Sequence, residues 1–249
     1  VNGPAGLELP DGPGPRRLTE GNAPRGQSVL VLAPHPDDFD EVAVLARRLD
    51  RAGGRLRLAV LSSSANGVED GFVDPPTDEA KAAMREEEQR RSLDFFGLQA
   101  GLYVFERLPT SAGGYLSDQG AGRAAVRRFL EGERFDLVIL PHGHDTNPDH
   151  RLVAEWWEAA AAEMPRPPRA WYFRDPKTIG MRLDLVVPFG EREAAWKAEM
   201  LRFHRSQQER CLHQRGHGLD ERILRVNRDT ARAAGLAEPY AEGFEVEAI

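Results

Sequence analysis

A chain of 249 residues with a net charge of −7 fits one large α/β domain or two small ones, and its 41% hydrophobic and 29% charged composition is that of a soluble globular protein. The acidic balance argues against a nucleic-acid partner, which needs a basic face. The single cysteine, Cys211, excludes an intrachain disulfide and a cysteine-held metal, and a reducing cytoplasmic setting is the default.

Residues 1–25 are rich in Gly and Pro and have no apolar core, so they read as an extension and not as a signal peptide. That leaves 26–249 as one domain. A buried strand is expected over 28–34 (SVLVLAP), then a helix over 40–50 stopped by Gly53-Gly54. A second strand covers 56–62, a polar loop 62–77, and a charged helix 78–96 closed by Gly97. Strands follow at 102–108 and 136–140 (DLVIL), separated by a helix over 117–131. A helix over 148–163 ends before Pro165, Pro167 and Pro168. Strands at 169–173 and 183–187, a helix over 191–209 and another over 220–234 complete the pattern. No apolar run is long enough to span a bilayer.

Alternating strands and helices predict a Rossmann-like, doubly wound, mostly parallel sheet with helices on both faces. Ligands bind such sheets outside the carboxyl ends of the strands, where the strand order reverses. In the common order 3-2-1-4-5 the first and fourth strands are neighbours there. Both end in Pro-His here, at Pro34-His35 and Pro141-His142. Two polar clusters should therefore share one crevice: Pro34-His35-Pro36-Asp37-Asp38, and the stretch from Pro141 to His150 that holds His142, His144, Asp145, Asn147 and Asp149.

Zinc favours imidazole nitrogen and carboxylate oxygen, and a catalytic site keeps one position open. His35 and Asp38 lie within one turn, His150 can supply a third ligand, and Asp37 is left beside the site. Each piece has a plainer reading. Asp38 with Glu41 resembles a capping box. Asn147-Pro148 is a good helix start, which explains both without catalysis. A charged His150 in the first helical turn would be disfavoured, and a neutral metal-bound imidazole avoids that penalty.

His35-Pro36-Asp37-Asp38, followed far along the chain by Asp149-His150, resembles the LmbE-like (PIG-L) family of zinc-dependent de-N-acetylases. Arg85 and Glu88 ahead of Gly97, the Lys197…His204-x-Ser206-Gln207 run and Tyr240-Ala241-Glu242-Gly243-Phe244 extend the likeness over roughly residues 28–245. The resemblance implies a Rossmann-like fold, one zinc ion and hydrolysis of an N-acyl group on a small-molecule amino sugar or its conjugate. It implies His35, Asp38 and His150 as metal ligands and Asp37 as general base.

The chain departs from that pattern at Phe39, at Val42-Ala43-Val44, and at Asn147, where a histidine is usual. Asn147 and His144 are therefore carried as catalytic candidates, with His142 as an alternative donor. Arg85 and His142 are the substrate-binding candidates. The plainer reading of Arg85 is an ion pair with Glu88, and that of His204 and Trp156-Trp157 is packing. Two other readings stay open: hydrolysis of another small amide, or a catalytically weak binding relative. A mononucleotide-binding protein would need a Gly-x-Gly-x-x-Gly after the first strand, which is missing, and a two-metal phosphoesterase would need more bridging carboxylates.

Overall fold

Alternation along one strand explains the layering. Every residue of β2 (Ser28–Ala33) is buried. Val29, Val31 and Ala33 join one hydrophobic cluster, while Leu30 and Leu32 join another. A strand apolar on both faces has to be covered on both. The computed structural model describes residues 14–117 and 119–247, so residues 1–13 of the expected extension lie outside the described residues.

The other strands are β1 (Arg16–Arg17), β3 (Arg55–Val60), β4 (Tyr103–Phe105), β5 (Leu137–Pro141), β6 (Arg169–Phe173), β7 (Leu185–Phe189) and β8 (Tyr240–Glu247). They form one sheet in the order β1-β7-β8-β6-β5-β2-β3-β4. β2 runs parallel to β3 and to β5, so the two Pro-His strand ends are neighbours as expected. The sheet is mixed at its other side: β8 is antiparallel to β6 and β7, and β1 is parallel to β7. Leu18 is buried just after β1, so ordered packing reaches upstream of residue 26. β8 lies beyond the last expected element, the helix over 220–234, and its polar Glu242 and Glu245 interrupt the apolar alternation.

The helices are α1 (Asp38–Glu41), α2 (Ala43–Arg51), α3 (Asp78–Phe96), α4 (Gln119–Gly132), α5 (Pro148–Ala162), α6 (Glu191–Leu201), α7 (Arg205–Arg215) and α8 (Leu219–Ala233). Thr77 caps α3 by accepting from Ala80 N at 3.2 Å, and Gly97 ends it at φ 98°. Trp156 and Trp157 on α5 are fully buried in the cluster under that helix, which is the packing role expected.

Two helices predicted as continuous are broken, for identifiable reasons. The stretch over 40–50 is split at Val42. The freed N–H groups of Val44 and Leu45 donate to the two carboxylate oxygens of Glu242, at 2.9 and 2.8 Å. The stretch over 191–209 is split before Arg205, where the His204 ring turns inward to Asp40. Among the described residues, no helix is long and apolar enough to cross a membrane.

Candidate metal centre

The chain leaves β2 through Pro34 and reverses within four residues. Asp37 has φ 139° and ψ −23°, a conformation that strains a non-glycine residue. Its neighbours hold it there. Asp38 Oδ2 accepts from His35 N at 2.7 Å. Arg85, reaching across from α3, donates through Nη2 to Asp37 Oδ1 at 3.0 Å and to the Pro36 carbonyl.

His35, Asp38 and His150 each offer a ligand atom, and these atoms lie within 4.8 Å of one another. Both imidazoles are fixed from behind. His35 Nε2 meets Asp149 Oδ2 at 3.0 Å, and His150 Nδ1 meets Asp145 Oδ2 at 3.2 Å. The opposite nitrogens, His35 Nδ1 and His150 Nε2, face Asp38 at 3.3 and 3.6 Å. Carboxylates on the far nitrogens are the outer partners that metal-ligating histidines use to fix tautomer and orientation.

The electrostatics favour positive charge at the centre. Burial opposes protonation of both histidines, but Asp38 and the carboxylates behind them outweigh it and raise both above the usual imidazole value. Burial works to raise Asp38, and the two histidines overcome it and hold the carboxyl well below its usual range. A divalent cation satisfies the same carboxylates without charging the imidazoles. Two imidazoles and one carboxylate, with space left for a fourth ligand, suit zinc.

Asp145, His150 and Asp175 form a second compact donor group. Its oxygens are already engaged: Asp145 Oδ1 accepts from Asn147 N at 2.6 Å, and Asp175 accepts from Lys177 N. We read it as the shell that orients His150. Burial pushes the Asp175 carboxyl up to about 6, with His150 partly offsetting the effect. Burial and the neighbouring Asp175 likewise raise Glu41 well above its usual value.

The donors open into a cleft of about 270 Å³, lined also by Asp37, Glu41, Arg85, Asn147 and Lys177. Arg85 therefore reaches the site, but its partner is Asp37 and not Glu88. Glu88 instead accepts from Ser206 N and Oγ, both at 2.7 Å. Asn147 caps α5, accepting through Oδ1 from Asp149 N at 3.1 Å, which leaves its amide N–H groups as donors.

His142 and His144 lie elsewhere. They line a separate pocket with Glu158, Tyr172 and Glu245, away from the metal donors. The loop after β5 turns instead of staying extended: His144 N donates to His142 Nδ1 at 3.0 Å. His142 Nε2 meets Glu245 Oε2, on β8, at 3.2 Å, and His144 is exposed.

A buried polar frame supports the turn from below. Lys197 Nζ donates to Glu242 at 2.7 Å, and both side chains are sealed from solvent. His204 Nε2 is hydrogen-bonded to Asp40, and Ser92 Oγ donates to the other Asp40 oxygen at 2.5 Å. The Lys197–Ser206 run thus reaches the centre through its neighbours. Asp145 and Asp149 stand in the polar cluster named from sequence but carry no role there, and Asp175 lies outside both clusters.

A doubly wound α/β sheet with a two-histidine, one-aspartate centre at its strand ends defines the class of protein. The chain belongs to the PIG-L family, whose model, described as GlcNAc-PI de-N-acetylase, matches residues 30–161. No curated protein sequence matches it. Among solved structures, N,N'-diacetylchitobiose deacetylase from Pyrococcus horikoshii is 17% identical with a TM-score of 0.71, over 89% of this chain and 84% of that one. The zinc inhibited form of teicoplanin deacetylase Orf2 is 14% identical with a TM-score of 0.65, over 88% and 97%. GalB, the 4-carboxy-2-hydroxymuconate hydratase of Pseudomonas putida KT2440, is 18% identical with a TM-score of 0.63, over 90% and 97%. At these identities the likeness is one of fold.

Proposed function

We propose that this chain is a zinc-dependent hydrolase that removes an N-acetyl or other N-acyl group from an amino sugar or its conjugate, in a reducing cytoplasmic setting. The observation that carries the reading is the placement of Asp37, pinned by Arg85, beside the compact donor set of His35, Asp38 and His150. Membership in the PIG-L family supports it, as do the deacetylases of chitobiose and teicoplanin among the structures of similar fold.

Zinc held by those three residues would supply a Lewis acid for the amide carbonyl and would acidify water at neutral pH. Asp37 takes the proton of the attacking water. Arg85 engages one Asp37 oxygen and leaves the other for that task. Asn147, with its carbonyl committed to the cap, donates from its amide nitrogen to the developing oxyanion. With asparagine in this place, the proton reaching the departing amine is the one Asp37 has taken.

The test is zinc analysis of the purified protein, followed by amine-release assays over a panel of N-acetylated sugars. Bound zinc with release of free amine and acetate is the expected result; a zinc-loaded protein that cleaves none of them would reject the reading. One observation, Asn147, favours a second reading. Addition of water to a conjugated acid has no amine to expel, so it needs no proton delivered to nitrogen, and GalB has this fold. Gain of water without loss of acetate would identify that reaction.

A further inference from the structure

The chain carries 40 acidic residues against 33 Lys and Arg, so a basic residue easily finds a partner. Arg48, Arg57, Arg85, Arg90 and Arg107 all do. Lys177, Arg210 and Arg222 are among the basic residues that do not. They line the metal cleft, they are half-buried, and among the described residues none has a carboxylate within ion-pair distance. Lys177 follows β6, Arg210 lies on α7 and Arg222 on α8, so three separate elements bring positive charge to the cleft.

The carboxylates that line the cleft are engaged elsewhere or, at Glu41 and Asp175, pushed up by burial. Asp37 is taken by Arg85, Asp149 by His35, and Asp38 faces both imidazoles. The like charges also crowd. A β-carbon at Gly67 would lie 3.1 Å from Arg85 Nη1 and 3.2 Å from Arg210 Nη1, so two guanidinium groups converge on the same backbone, and of the two it is Arg85 that has a carboxylate partner. Gln207, whose Nε2 donates to the Gly67 carbonyl at 2.8 Å, adds a third nitrogen there. Unpaired cations held together in a cleft favour an anion, and arginine in particular binds carboxylate and phosphate through paired N–H groups.

We propose that the cleft selects a substrate that carries an anionic group, carboxylate or phosphate, seated on Arg210, Arg222 and Lys177 while its acylated nitrogen faces the metal donors. The inference rests on the hydrolase reading for the acylated nitrogen. The anion site itself rests on the cations.

The test uses amines, which cannot be deacylated, so that binding is read without turnover. The zinc-loaded full chain is titrated by calorimetry with glucosamine, glucosamine 6-phosphate and muramic acid. At least one anionic ligand should bind about tenfold tighter than glucosamine. Which one does so tells phosphate from carboxylate. The Arg210→Gln/Arg222→Gln double variant should lose that preference. Equal affinity of the parent protein for all three ligands would overturn the inference, and this comparison needs no variant to fold. A preference that survives in a folded double variant would overturn it as well. If anionic ligands bind tightly but none of the N-acetylated forms is cleaved, the hydrolase reading fails and the anion site stands. If neutral and anionic N-acetyl sugars are cleaved alike and bind alike, the anion site fails alone.

Discussion

Arg85 Nη2 sits 3.0 Å from Asp37 Oδ1, and it reaches that position from a helix that begins forty residues along the chain from the turn it supports. The guanidinium also holds the Pro36 carbonyl, so one buried side chain fixes both the backbone and the carboxylate of a strained turn. Asp37→Asn keeps the shape but cannot accept a proton. Turnover should fall by about 10² or more while bound zinc stays at the parent level. Arg85→Gln should lower kcat by releasing the same carboxylate from its position, again with zinc retained. Zinc content and steady-state rates on one responsive N-acetyl sugar check both. An Asp37→Asn protein as fast as the parent would put the base elsewhere.

Asp145 and Asp149 hold the two candidate metal-binding histidines from behind. Each accepts from the far nitrogen of one imidazole, and each also anchors backbone: Asp145 Oδ1 takes Asn147 N, and Asp149 Oδ1 takes Leu116 N at 2.8 Å. Asp145→Ala should weaken zinc binding by about 10- to 100-fold, as loss of such outer partners does. Asp38→Ala, which removes a ligand, should leave little bound zinc. Competition with a chelator of known affinity measures both, and an Asp145→Ala protein that holds zinc as tightly as the parent would remove the carboxylate from this role.

The difference between what was legible and what was not follows the range of the interactions. β2 and β5 were readable because continuous apolar runs such as Val29–Leu32 mark strands covered on both faces, and their shared Pro-His endings pointed to adjoining strand ends. The adjacency of the candidate donors His35, Asp38 and His150 follows from those strand ends. The partner of Arg85 was not readable. Glu88, one turn away on the same helix, was the local choice, whereas Asp37 becomes a neighbour through the fold. The break before α7 was hidden for the same reason, since it depends on His204 meeting Asp40, far away in sequence. β8 was missed because its carboxylates serve partners inside the protein, Glu242 on Lys197 and Glu245 on His142, and so break the alternation that marks a strand.

The relocation of His142 and His144 has a measurable consequence. Neither lines the metal cleft, whereas Asn147 does. His144→Ala and His142→Ala should therefore leave zinc content and turnover close to the parent. Asn147→Ala should lower turnover through loss of the oxyanion donor, and stability by about 1 kcal/mol through loss of the cap. Because Asn147→Asp keeps the cap but not the N–H donors, it should recover stability without recovering rate. Full activity in Asn147→Ala, or loss of activity in His144→Ala with its zinc intact, would reverse the assignment.

The His204–Asp40 pair sets a pH dependence of stability. Both side chains are fully buried. Burial opposes the His204 cation, but the charge and hydrogen bond of Asp40 outweigh it, and the imidazole is raised above its ordinary 6.5. A histidine raised on folding binds its proton more tightly in the native state. Its stabilisation is therefore fully present below about pH 6.5 and is lost as pH rises through the raised value. Loading with zinc keeps His35 and His150 from titrating in the same window. Under that condition the Tm of the parent should fall between about pH 6 and pH 9. His204→Gln should be less stable at the acid end, by about 3–5 kcal/mol if the variant leaves Asp40 without its buried partner, and should lack the slope. Calorimetric scans of both proteins across that range decide the matter. Parallel profiles would mean that His204 is neutral in the fold and that Asp40 carries the proton they share.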